Sequence, residues 1–156
     1  MKTPRILLLT AAIWLTTAAV SLAASAQMGT WKLNESKSKF SSRARSTTVT
    51  YTAAKGDMVK VDVMGTDAEG KPMHWDWVGK FDGKSYKLKH NPNAEMAAYK
   101  MVDDHTNQIT MTKAGGKTVA MTTVKVAKDG KSRMVTTTYI HADGKKETDK
   151  AFYDKI

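Results

Sequence analysis

The chain has 156 residues, no cysteine and a formal net charge of +10. The missing cysteine excludes a disulfide scaffold, thiol catalysis and thiolate metal sites. Its basic residues are scattered singly and in pairs without an aromatic–basic nucleic-acid signature. The charge therefore reads as a soluble basic exterior, and no nucleic-acid partner is expected.

The first element is a leader. Lys2 and Arg5 precede the apolar run "ILLLTAAIWLTTAAVSLA", and Ala24-Ser25-Ala26 supplies small residues at the cleavage positions. Residues 1–26 thus read as a secretory signal peptide forming a helix that is cleaved off. The apolar run approaches bilayer-spanning length, so an anchoring transmembrane helix is the alternative. A polar domain directly after Ala-x-Ala favours cleavage, and with no cysteine for a lipid anchor no stable membrane anchoring is expected afterwards. Residues 27–156 then make one domain of ordinary size with a charge of +8, Lys2 and Arg5 having left. Its expected location is the periplasm or the exterior, as a monomer.

Strands are expected over about 29–33, 46–54, 57–66, 72–81, 85–89, 96–103, 107–113, 117–127, 132–141 and 147–154. Period-two alternation carries them: Val59, Val61 and Val63 share a face, as do Met73, Trp75, Trp77 and Phe81. Turn signals separate them, most containing Gly and three containing Asp-Gly, the dipeptide favoured by two-residue hairpins. The polar stretch 34–46 reads as a loop with at most one helical turn. Alternation is poor in "TVAMTTVKVAK" and "RMVTTTYIHA", where bulges or register changes are expected. Tight turns between successive strands predict an all-β up-and-down meander of about 8–10 strands. Closing it into a barrel hides both edges and the apolar face, with a β-sandwich as the alternative.

"GTWKLN" at the first strand and "KAFYDKI" at the last resemble the ends of calycin barrels, nearest to lipocalins and fatty-acid-binding proteins. The same opening, with "NPNAE" in mid-chain and "FYDK" near the end, is similar to small exported bacterial proteins of unassigned function. The calycin resemblance implies that Trp31 plugs the barrel base, with Lys150 or Tyr153 as its partner on the last strand. It also implies a small-molecule carrier. The chain departs from fatty-acid-binding proteins in having no helical pair between the first two strands, and their basic anchor residues find no match.

Candidate chemistry is thin. His74, His90, His105 and His141 lie in separate segments without metal-ligand spacing, and no nucleophile elbow or phosphate loop is present. No enzyme activity, cofactor or metal is therefore expected. Met73 beside His74 raises copper, but the methionines are spread along the strands and are explained more simply as pliable packing. Tyr51, Trp75, Trp77, Tyr99 and Met111 are expected to face one interior, which they either fill or line as a cavity. The leading functional reading is a carrier for an apolar or amphipathic small molecule held by those five residues. Arg43 and Arg45 are candidates to meet an anionic headgroup at the mouth. The alternative is an exported interaction or inhibitor protein with a filled core.

Intact-mass measurement on protein from its own compartment is expected to give a chain beginning at Gln27. A full-length species held in the membrane would contradict the leader.

Overall fold

The structure, a computed structural model, describes residues 25–156. The expected signal helix lies outside the described residues except for Ser25 and Ala26. Ten strands follow in order: β1 Gly29–Lys39, β2 Arg45–Ala54, β3 Met58–Thr66, β4 Pro72–Gly79, β5 Asp82–Lys89, β6 Met96–Asp103, β7 Thr106–Thr112, β8 Thr118–Val126, β9 Ser132–Ile140 and β10 Lys146–Lys155. Each pairs antiparallel with the next, and β1 also pairs with β10, closing a meander barrel without free edges. One turn of 3-10 helix, Ala114–Gly116, interrupts the strands. The base carries Trp31 and the turns after β2, β4, β6 and β8. The mouth carries loops 40–44, 67–71, 90–95, 113–117 and 141–145.

The first strand is longer than expected. β1 runs to Lys39, and the loop that follows is only residues 40–44. The polar residues 34–39 remain strand because β10 supplies their partners. A register shift accommodates extra residues between Asn34 and Lys39. Ser38 Oγ stitches that shift, accepting from the Phe152 amide at 2.9 Å and donating to the Asn34 carbonyl at 2.7 Å.

Of the three Asp-Gly pairs, Asp82-Gly83 lies inside β5, and the other two sit in hairpins wider than two-residue turns. After β9, Gly144 N–H donates to the His141 carbonyl, Lys145 N–H to Asp143 Oδ1 and His141 N–H to the Lys145 carbonyl. Only the glycine takes positive φ, at 84°. A two-residue type I′ turn would require it of the aspartate too. The Asp side chain instead caps the turn by bonding the backbone two residues on.

The expected irregularity in the last third appears once, where the β7–β8 ladder shifts register between Met111↔Ala120 and Thr112↔Thr118. The β8–β9 and β9–β10 ladders run without a register shift, from Ala120↔Tyr139 to Val126↔Arg133 and from Lys146↔Ile140 to Asp154↔Ser132. Alternation looks poor in sequence because several inward positions there are polar: Thr122, Arg133, Thr137 and Asp149.

Aromatic packing fills the base on the β4–β6 side. Trp77 is fully buried, its ring 4.0 Å from Tyr99 and 5.8 Å from Tyr86, and its indole N–H donates to the Ala97 carbonyl. Phe81 stacks 5.8 Å from Tyr99. This cluster closes a weak point in the wall, since β4 and β5 pair only through Asp76↔Lys89 and Trp77↔Leu88. Gly79 makes the arrangement possible, because a Cβ there would overlap the Trp77 and Tyr86 rings. Gly65 solves a similar problem where a bulge between Ser46 and Thr48 drives the Arg45 carbonyl against it.

Trp77→Ala is expected to lower stability by about 3–5 kcal/mol, the usual range for deleting a buried aromatic. Gly65→Ala forces backbone apart and is expected to cost about 1–3 kcal/mol. Urea denaturation of the barrel checks both, and an unchanged midpoint for either would contradict the packing described.

Candidate ligand-binding site

Ten strands enclose a wider interior than the eight whose side chains just meet. Below the mouth lies a cavity of about 500 Å³. Its walls are mainly apolar, with Val49, Val61, Val63, Trp75, Ile109 and Val135 contributing, and Arg133 reaches it from near the base. The interior is thus filled on the β4–β6 side and hollow elsewhere, so the two sequence alternatives each describe part of it.

Four of the five expected residues meet there. Tyr51, Trp75, Tyr99 and Met111 line the cavity. Trp77 does not. It shares the inward face of β4 with Trp75 but lies nearer the base, enclosed by Phe81, Tyr86 and Tyr99. Its role is packing.

Trp31 is fully buried at the base, its indole N–H donating to the Gln27 carbonyl at 2.8 Å. Gln27 is buried beside it, and its side-chain amide donates to the His105 carbonyl at 3.2 Å. The cations across the indole are Arg133 and Lys155, whose charged groups lie 4.7 and 5.1 Å from a Trp31 ring. Lys150 does not take the expected place, being exposed opposite Lys39, while Tyr153 flanks the same Arg133 guanidinium as Trp31 and donates its hydroxyl to the Ser46 carbonyl at 2.8 Å.

Arg133 is the functional candidate that sequence reasoning missed. It is 2% exposed, and its guanidinium sits 4.7 to 5.1 Å from the rings of Trp31, Tyr51 and Tyr153. Among the described residues no carboxylate forms an ion pair with it, and its Nε and Nη1 have no hydrogen-bond partner. The rings do not neutralise it. Burial pushes the Tyr99 and Tyr153 hydroxyls well above their usual range, so both stay protonated. Cation–π attraction offsets part of the desolvation cost, but an isolated buried charge remains expensive. No sequence signal marked it, because the poor alternation of "RMVTTTYIHA" assigns neither face to the interior.

The arginines expected at the mouth play a different part. Arg43 is exposed. Arg45 lines the cavity, but its Nη1 donates to the Ser42 and Ala44 carbonyls at 2.6 and 2.9 Å and its guanidinium lies 3.8 Å from the Phe40 ring. It organises the loop. Of the histidines, His74 and His90 contact Asp62 and Asp76 on the exterior, His141 contacts Glu147 at the mouth, where both line the cavity, and His105 lies at the base turn.

Without ligand, Arg133→Met is expected to change stability by less than about 1 kcal/mol or to raise it, because a similar apolar side chain removes an uncompensated buried charge. Denaturant unfolding checks this. A loss above about 2 kcal/mol would make Arg133 a structural brace and nothing more.

No protein-family model matches this sequence, and no curated protein matches it. Among solved structures, the fold is similar to the crystal structure of a mutant of the fluorescent protein UnaG. The TM-score is 0.52 with 13% sequence identity, covering 83% of this chain and 95% of that one. At that identity the likeness is one of fold: an all-β, closed, ten-strand antiparallel meander of calycin type.

Proposed function

We propose that this protein is an exported carrier holding an amphipathic small molecule, its apolar body against Trp75, Tyr51 and Met111 and its anionic group toward Arg133. The leader-like residues 1–26 support export. The observation that carries the binding reading is an unpaired, buried guanidinium in the wall of a largely apolar cavity of about 500 Å³. Ligand sites commonly combine an apolar concavity with a few convergent polar groups. An anion there would gain charge-assisted hydrogen bonds in a low-dielectric site, where they are strongest. Indole and thioether surfaces tolerate varied ligand shapes, as a carrier or scavenger needs. The cavity also weighs against the alternative of a filled-core interaction protein.

Two fluorescent naphthylamines test this: anionic 1-anilinonaphthalene-8-sulfonate and uncharged N-phenyl-1-naphthylamine. Both are expected to bind the purified protein and to quench tryptophan emission, with Trp75→Phe removing most of that response. Arg133→Met is expected to weaken the anionic probe by about tenfold or more and the neutral one by less than about threefold. Failure of the uncharged probe to bind would overturn the cavity reading, and failure of the anionic probe alone would remove the anion seat. Equal losses for both probes would leave the cavity and remove the anion seat.

A further inference from the structure

We infer that loop 40–44 is the gate of this cavity and that the Asp149 carboxylate is its latch, an inference that rests on the binding reading above. The β1–β2 ladder stops at Lys32↔Thr48. Beyond it β1 continues on β10 alone, as far as Lys39↔Lys150, while β2 continues on β3 alone, as far as Arg45↔Thr66. The wall therefore has a seam on the mouth side. Loop 40–44 bridges it, with Phe40, Ser42 and Ala44 facing the cavity.

The other sparse ladder, between β4 and β5, is wedged shut by Trp77 and Tyr86 against Gly79. The β1–β2 seam has no such wedge. No backbone–backbone hydrogen bond outside the ladders reaches residues 40–44. On the β10 side of the seam, what ties the loop to the barrel is Asp149, an inward residue that is 4% exposed. It accepts from the Ser41 amide at 2.6 Å, Ser41 Oγ at 2.7 Å and Ser42 Oγ at 3.4 Å. The Arg45 bonds to the Ser42 and Ala44 carbonyls then make the loop move as a unit.

This chemistry suits a two-state element. In the closed state the buried carboxylate is satisfied by loop donors; in the open state water satisfies both partners. The gap between states is then the modest net worth of charge-assisted bonds rather than the cost of breaking a ladder. A gate differs from a binding contact in its kinetics, since easier opening speeds entry and exit together and leaves affinity nearly unchanged.

Stopped-flow mixing with uncharged N-phenyl-1-naphthylamine reads this without interference from the altered charge. Asp149→Ala and Asp149→Asn are each expected to raise both association and dissociation rates by about tenfold, with Kd moving less than about threefold. Hydrogen exchange at the Ser41 amide should quicken in Asp149→Ala while the β8–β9 ladder keeps its protection. If that variant does not fold, Arg45→Gln loosens the same loop and is expected to accelerate both rates. Unchanged rates with a folded barrel would overturn the gate alone. A change confined to dissociation would make Asp149 a ligand contact instead. No probe binding to the unmodified protein would overturn the cavity reading, and the gate with it.

Discussion

Closing ten strands edge to edge imposes the constraint from which the rest of this molecule follows. The closed ladder leaves no edge for another strand, but it encloses more space than side chains reaching inward from all walls can fill. The chain meets this excess unevenly. Trp77, Phe81, Tyr86 and Tyr99 pack one side of the base, and Trp31 with Gln27 plugs beneath. On the β8–β10 side the inward residues are smaller or polar, including Ala120, Thr122, Thr137 and Ala151, so space remains above Arg133. Hollowness and charge thus come from the same three strands.

That division explains which features were legible in the sequence. Strand positions were, because Val59-Val61-Val63 and Trp75-Trp77 alternate cleanly and glycine turns bracket them. Closure was legible from short connections between many strands. Depth was not: period two puts Trp75 and Trp77 on one face, but only the barrel's shape makes one a cavity wall and the other a buried wedge. The β8–β10 pattern looked irregular for a related reason. Hydrophobicity stands in for inwardness only where the interior is apolar, and Arg133, Thr137 and Asp149 break that equivalence while the β8–β9 and β9–β10 ladders stay regular.

The base pairing of Trp31 shows the same limit over longer range. A Gly-x-Trp opening indicates a plug, yet the buried cation across it comes from β9, near the other end of the chain. Nothing in "SRMVTTTYI" marks Arg133 as special until closure brings β9 and β10 round to β1. Gln27 was likewise unreadable as a base residue, because its partner is a backbone carbonyl at His105. Carbonyl acceptors carry no side-chain signature.

The two buried charges of the cavity wall are handled in opposite ways, and that difference links stability to binding. Asp149 is saturated by serine donors from a movable loop, so its desolvation is compensated inside the protein. Arg133 is enclosed by neutral aromatic rings that soften its burial without supplying an acceptor. A carboxylate partner for Arg133 would have made a firmer barrel and a site already satisfied. Leaving it unpaired keeps part of the folding free energy available to an incoming anion, and by linkage a ligand that completes the guanidinium also stabilises the fold around it. Affinity at the base and exchange at the mouth are then set by different residues, which allows tight holding and rapid release to be tuned separately.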